Sequence, residues 1–227
     1  MKNIKILSAL AAILVSGSLV NAQNLIIRID DMGALHSVNT ASIDTYQNGI
    51  AASAEVLVVG GWFPEAVKML RENPGLDVGV HLAITSEWEN VKWRPLTNCP
   101  TLVDENGYFF PMLAPNPAYP GQSVFENMEK FDIKEIEQEF RAQIELALKN
   151  IPNITHLSGH MMSTGFSKEV NEMVKRLSAE YGLPSIDRMD SGKEYEFEYI
   201  GYDGPKATAQ EKIASFIKAL EKMEEGK

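Results

Sequence analysis

The chain of 227 residues carries 31 acidic against 21 basic side chains, a formal net charge of −10, so it lacks the basic stripe that a phosphate backbone requires and nucleic acid is excluded as a partner class. A single cysteine, Cys99, excludes an internal disulfide framework and reads as a small buried filler rather than a nucleophile. The length and the 44% hydrophobic content fit one domain of ordinary size with a core of its own.

In chain order, Lys2 and Lys5 precede an apolar stretch over residues 6–20 that closes in Val20-Asn21-Ala22. A charged start, a short apolar middle and small residues before a cut predict a secretory signal peptide over residues 1–22, too short for a membrane span. The expectation is export to the periplasm or beyond after cleavage near Ala22, with residues 23–227 as the working domain. No second segment approaches the length needed to cross a bilayer.

Leu25-Ile26-Ile27-Arg28-Ile29 then runs into Asp30-Asp31-Met32-Gly33. The apolar run predicts a buried parallel strand, and its C-terminal end is where α/β enzymes keep their chemistry. Adjacent carboxylates repel, and without a local Lys or Arg they need a metal ion or a shared proton. The alternative is that Asp30 or Asp31 merely caps a helix beginning near Ser37. Apolar or small groups at Val38, Ala41, Ile43 and Tyr46 predict that helix up to Asn48, with Gly49 as its stop. Residues 52–59 read as the next strand, where Glu55 either reaches into a polar barrel interior or marks an edge, the interior being preferred. Pro64 opens a helix to about Glu72, and residues 77–84 form a third strand, buried apart from His81. Strand and helix alternating at this spacing predict a wound parallel sheet.

From residue 85 to about residue 130 the periodicity breaks, and Trp88, Trp93, Tyr108, Phe109, Phe110 and Tyr119 appear among Pro and Gly. Long irregular segments in compact domains are usually functional, and aromatic faces stack on sugar rings, so Trp88, Trp93 and Arg94 are candidate saccharide contacts. The competing reading is that the aromatics pin the loop to the core. Asp132-Ile133-Lys134-Glu135 has the pattern of a capping box, followed at helical spacing by Ile136, Phe140, Ile144 and Ala147. Residues 154–160 predict a strand with His156, Ser158 and His160 on one side. A helix over residues 168–181, a short strand at residues 185–187 and a capped helix over residues 208–223 complete the reading.

Three polar anomalies end or interrupt apolar strands: the Asp30/Asp31 pair, His81 and His160. In a parallel barrel strand ends converge on one mouth, so one carboxylate and two imidazoles can meet there as a metal triad, with the other carboxylate free as a base. A Ser158/His160 hydrolase is the weaker alternative, because no Gly-x-Ser-x-Gly turn surrounds Ser158.

The segments Asp30-Asp31-Met32-Gly33, Gly79-Val80-His81-Leu82 and Thr155-His156-Leu157-Ser158-Gly159-His160 together resemble the YdjC-like carbohydrate deacetylases, a family that includes chitooligosaccharide deacetylases. The resemblance implies an α/β fold, a distorted (β/α) TIM-like barrel, that removes N-acetyl groups from amino sugars with one divalent metal. It assigns Asp31, His81 and His160 as metal ligands and Asp30 as catalytic base; His156 is expected to orient a ligand or a water. The resemblance admits Mg²⁺, whereas two imidazoles suit Zn²⁺. An N-acetylated saccharide is the implied partner, and a homodimer is compatible with it.

Two departures stand out. The family often reads His-x-Asp-x-His around the third motif, where this chain has Ser158, and Met161-Met162-Ser163 replaces a histidine-rich continuation. Family members also usually continue into a strand whose histidine resembles a catalytic acid. Lys227 comes before any such strand, so the expectation is either a truncated chain, its barrel incomplete at the C-terminal end, or another group such as His36 as substitute. The competing function class is a catalytically impaired or non-catalytic carbohydrate-binding barrel.

Overall fold

The computed structural model describes residues 25–87, 90–127, 131–186 and 208–221. The expected signal peptide, Trp88, Asp187 and Met223 lie outside the described residues. Four strands form one sheet in the order β1-β2-β3-β4, every pair parallel. They are β1 (Arg28–Met32), β2 (Ser53–Val56), β3 (Asp77–Leu82) and β4 (Ile154–Gly159). Helix α1 (His36–Asn48) joins β1 to β2, and α2 (Phe63–Glu72) joins β2 to β3. Helices α3 (Val124–Asn127) and α4 (Ile133–Asn150) precede β4, and α5 (Lys168–Tyr181) follows it. Sequential parallel order with crossover helices is consistent with the winding of a (β/α) barrel-like fold. The winding continues past α5, where Ser185 bridges β4 in parallel at Leu157, in agreement with the short strand expected there. These elements belong to one compact unit, Leu25–Tyr199, and α6 (Ala209–Leu220) falls outside it. No helix among the described residues is long and apolar enough to cross a membrane.

The first strand departs from expectation. Its pairing begins only where Ile27 O accepts from Ala52 N, so Leu25 and Ile26 stay 46% and 57% exposed and the strand runs through both aspartates to Met32. β1 has one sheet neighbour among the described residues, so its residues need not all be apolar. Neither aspartate caps α1, which starts at His36 behind Leu35 with no side-chain cap.

Helix α4 clamps the sheet to the irregular segment. Ile136, Phe140, Ile144 and Ala147 are fully buried, each large member contributing roughly 1.5–3 kcal/mol. The capping box is only half closed. Asp132 accepts from Lys134 N, but Glu135 turns to Thr101, taking its N–H and hydroxyl at 2.9 and 2.7 Å. On the buried stripe Gln143 exchanges two hydrogen bonds with the backbone of Ala83, just past β3. Glu139 accepts from Leu96 N, Thr97 N, the Thr97 hydroxyl and Gln143. Phe109 is fully buried and Phe110 nearly so, which supports the pinning reading for these two aromatics. The last helix, α6, carries the expected capping box, closed in both directions between Thr208 and Glu211.

Candidate metal centre

Asp31, His81 and His160 come together although 129 residues separate the first from the last. One ligand atom from each lies within 4.8 Å of the others. Asp31 Oδ1 stands 3.1 Å from His160 Nδ1 and 3.5 Å from His81 Nε2, and the two rings pack edge to face at 5.4 Å. His81 is placed by β3 and Asp31 by a register shift in β1 between Ile29 and Met32, where an irregularity re-aims a side chain. Asp31 sits at φ 67°, and Met161 and Met162, directly after His160, at φ 47° and 65°. These are the only non-glycine residues at positive φ among the described residues, and such backbone strain concentrates at functional sites. Gly33 completes the turn at φ +102°; a Cβ there would approach Leu57 O to 2.6 Å.

Burial pushes the Asp31 carboxyl up, but the hydrogen bond from His160 and the nearby imidazoles outweigh it and the net value falls. Burial likewise pushes His81 down, toward the neutral form a metal ligand needs. His160 Nε2 is buried with no hydrogen-bond partner among the described residues; Glu87 Oε1 stands 3.3 Å away outside hydrogen-bond geometry. One carboxylate and two imidazoles with converging ligand atoms, one ring also keeping a buried nitrogen without a hydrogen-bond partner, fit a divalent cation.

Asp30 is placed differently from its neighbour. Arg28, two residues earlier on the same face of β1, grips it at 2.8 and 3.2 Å, so the aspartate pair does have a local cation. The division leaves Asp30 45% exposed at its side chain and turns Asp31 to the histidines. His36 is held by Glu65 at 2.9 Å beside Trp62, and it is not among the converging ligand groups. Trp93 is buried, donating its indole N–H to Thr85 O and standing edge-on to His160 at 5.8 Å. Arg94 is exposed and lies over the Tyr108 ring at 4.3 Å. Burial pushes the Cys99 thiol up to about 12, against any nucleophilic role.

Below the triad, Glu55 faces the interior as preferred, and it is fully buried. It contacts His156 Nε2 at 2.7 Å and accepts a short hydrogen bond from the Ser158 hydroxyl. Ser158 Oγ in turn lies 2.8 Å from His81 Nδ1. Neither the link from Glu55 to the triad nor the place of Glu87 beside His160 is evident from the sequence alone. The available signals were a charge inside an apolar strand and a carboxylate a few residues beyond His81.

The sequence profile described as YdjC-like protein matches residues 24–225. The chain belongs to the YdjC-like family. Among curated relatives, this YdjC-like chain is 32% identical over 174 residues to carbohydrate deacetylase 2 of Listeria innocua, covering 75% of this chain and 63% of that one. It is 35% identical over 159 residues to a carbohydrate deacetylase of Thermus thermophilus, covering 70% and 51%. A crystal structure from Enterococcus faecalis, of a protein named for cellobiose-phosphate cleavage, is similar at TM-score 0.59 and 27% identity over 70% of this chain and 57% of that one. The chain thus spans between about half and two thirds of the length of these relatives.

Proposed function

We propose that this protein hydrolyses acetyl groups from an acetylated saccharide, the N-acetyl amide of an amino sugar, releasing acetate, with one divalent ion held by Asp31, His81 and His160. The observation that carries the reading is the convergence of those three ligand atoms within 4.8 Å at the β1, β3 and β4 strand ends. When bound there, the ion would polarise the acetamide carbonyl and acidify a water. The family membership and the names of the curated relatives support the reaction class.

The chain's own groups divide the remaining work. Asp30 is exposed beside the ligand Asp31 and oriented by both guanidinium contacts of Arg28, so its carboxylate can take the proton from the attacking water. Trp93 walls one side of His160 and withholds solvent from it. Arg94, exposed and stacked over the half-buried Tyr108 ring, offers a planar surface suited to the face of a sugar ring. Two imidazoles in the ligand set favour Zn²⁺, while Mg²⁺ remains the ion implied by resemblance. Export after cleavage near Ala22 belongs to the same reading, and N-terminal sequencing of the mature protein tests it.

Acetate release from N-acetylated sugars by metal-replete protein tests the function. Asp30→Asn should keep the ion and lose about 10²- to 10⁴-fold in rate, the usual cost of removing a positioned base. Loss of the ion in that variant would mean that Asp30 and Asp31 have exchanged roles.

A further inference from the structure

Three strands align one residue each across the interior: Glu55 of β2 is in register with Gly79 of β3, and Gly79 with His156 of β4. Gly79 has no side chain, and a Cβ there would collide with both Glu55 Oε2 and His156 Nε2. The glycine therefore opens the gap that lets a carboxylate and an imidazole meet across the intervening strand. Two residues further along β3 and on the same face, His81 pairs with Ser158.

The hydrogens in this layer run in one direction. Thr155 donates its hydroxyl to Asp77 at 2.6 Å, so its oxygen, 2.7 Å from His156 Nδ1, accepts from that nitrogen. His156 then carries a proton on both nitrogens and compensates the buried Glu55 carboxylate. The Ser158 hydroxyl gives its proton to the same carboxylate, so its oxygen can only accept from His81 Nδ1–H. That fixes the Nδ1–H tautomer of His81 and leaves the Nε2 lone pair facing Asp31.

We propose that Glu55 is a positioning residue for the metal centre, a carboxylate supplied by β2 that acts through the Ser158 hydroxyl to set the tautomer and ring orientation of His81, with Gly79 providing the space and His156 the compensating charge. The inference rests on the metal-centre reading for its consequence, though the hydrogen-bond direction stands apart from it. Carboxylates that orient a metal-bound histidine are worth about 10- to 100-fold in metal affinity, and here the support is relayed through one hydroxyl.

The test compares wild type, Glu55→Gln, Ser158→Ala and the double variant Glu55→Gln/Ser158→Asp, which places a carboxylate directly beside His81 Nδ1. Two readouts are taken on full-length protein: calorimetric titration with Zn²⁺, and the His81 tautomer from ¹⁵N chemical shifts of the metal-free protein at neutral pH. Glu55→Gln and Ser158→Ala should each weaken Zn²⁺ binding by about 10- to 100-fold and mix the His81 tautomers, and the double variant should recover most of both losses. Should Glu55→Gln fail to fold, Ser158→Ala carries both readouts, because it cuts the relay and leaves the Glu55–His156 pair in place. Wild-type affinity together with a single Nδ1–H tautomer in Ser158→Ala would overturn the proposal. Wild-type protein that binds no Zn²⁺ would defeat the metal-centre reading instead, and the tautomer measurement would still decide whether Glu55 positions His81.

Discussion

Replacing Glu139 with Ala should detach the irregular segment from α4. The Glu139 carboxylate is fully buried and accepts from Leu96 N at 3.0 Å, Thr97 N at 2.8 Å, the Thr97 hydroxyl at 2.6 Å and Gln143 Nε2 at 2.8 Å. Truncation strands these donors, and each unsatisfied buried polar group costs about 1–3 kcal/mol. Leu96 is 42% exposed, so water can reach part of the gap and the separate costs do not add in full. The expected loss is about 3–5 kcal/mol, less than the full sum over the stranded donors because water reaches part of the gap. In a domain of this size that corresponds to a Tm lowered by roughly 6–20 °C. Thermal unfolding measures the global term, and hydrogen exchange at the Leu96 and Thr97 amides measures the local one. Glu139→Gln keeps the volume and should lose less, because its carbonyl still accepts. A Tm within about 2 °C of wild type for Glu139→Ala, with protection at Leu96 and Thr97 unchanged, would refute the reasoning.

Two further outcomes follow from the interior layer. Gly79→Ala should destabilise the fold by about 1–3 kcal/mol through overpacking and weaken ion binding, because its methyl group displaces Glu55 or His156; a variant with wild-type melting and wild-type Zn²⁺ affinity would contradict the spacing argument. The pH profile gives a second check. Burial pushes the Glu55 carboxyl up, but His156, His81 and the Ser158 hydroxyl together outweigh it and the net value lies below the ordinary 4.5, so the stability it contributes is present above 4.5 and lost as pH falls through the depressed folded value. Burial pushes His156 down, but Glu55 and Asp77 together outweigh it and the net value lies above the ordinary 6.5, so its contribution is full below 6.5 and lost as pH rises through the raised value. The pair therefore stabilises metal-free protein most between 4.5 and 6.5, and Glu55→Gln should flatten the melting-temperature profile there; parallel profiles for the two proteins would contradict the assignment.

The convergence of Asp31, His81 and His160 was legible because strand-end chemistry leaves a local mark. An aspartate pair after an apolar run, and histidines inside otherwise apolar strands, stand out from their neighbours, and parallel winding carries such positions to one end. The start of β1 was less legible. Leu25 and Ile26 look like strand core, yet pairing begins at Ile27, and burial follows from the neighbour rather than from the residue. The capping box at Asp132 closed only halfway because Thr101, distant in sequence, outcompeted the local donor for Glu135. Glu55 could be recognised as an oddity, but its link to His81 passes through a glycine and a serine on two other strands, and only the register reveals it. The replacement of the motif's aspartate by Ser158 looked like a loss in the sequence. In the fold, the carboxylate function reaches His81 from β2 through that serine.

The most direct test of the metal centre is the ion content of purified protein after dialysis against divalent metal, measured by mass spectrometry alongside acetate release from an N-acetylated sugar. Wild type should hold one ion per chain and release acetate in a manner abolished by chelation and restored by metal, whereas His81→Ala and Asp31→Ala should fall well short of one ion per chain and lose the activity with it. Wild-type metal content in His81→Ala, or acetate release indifferent to chelation, would contradict the account.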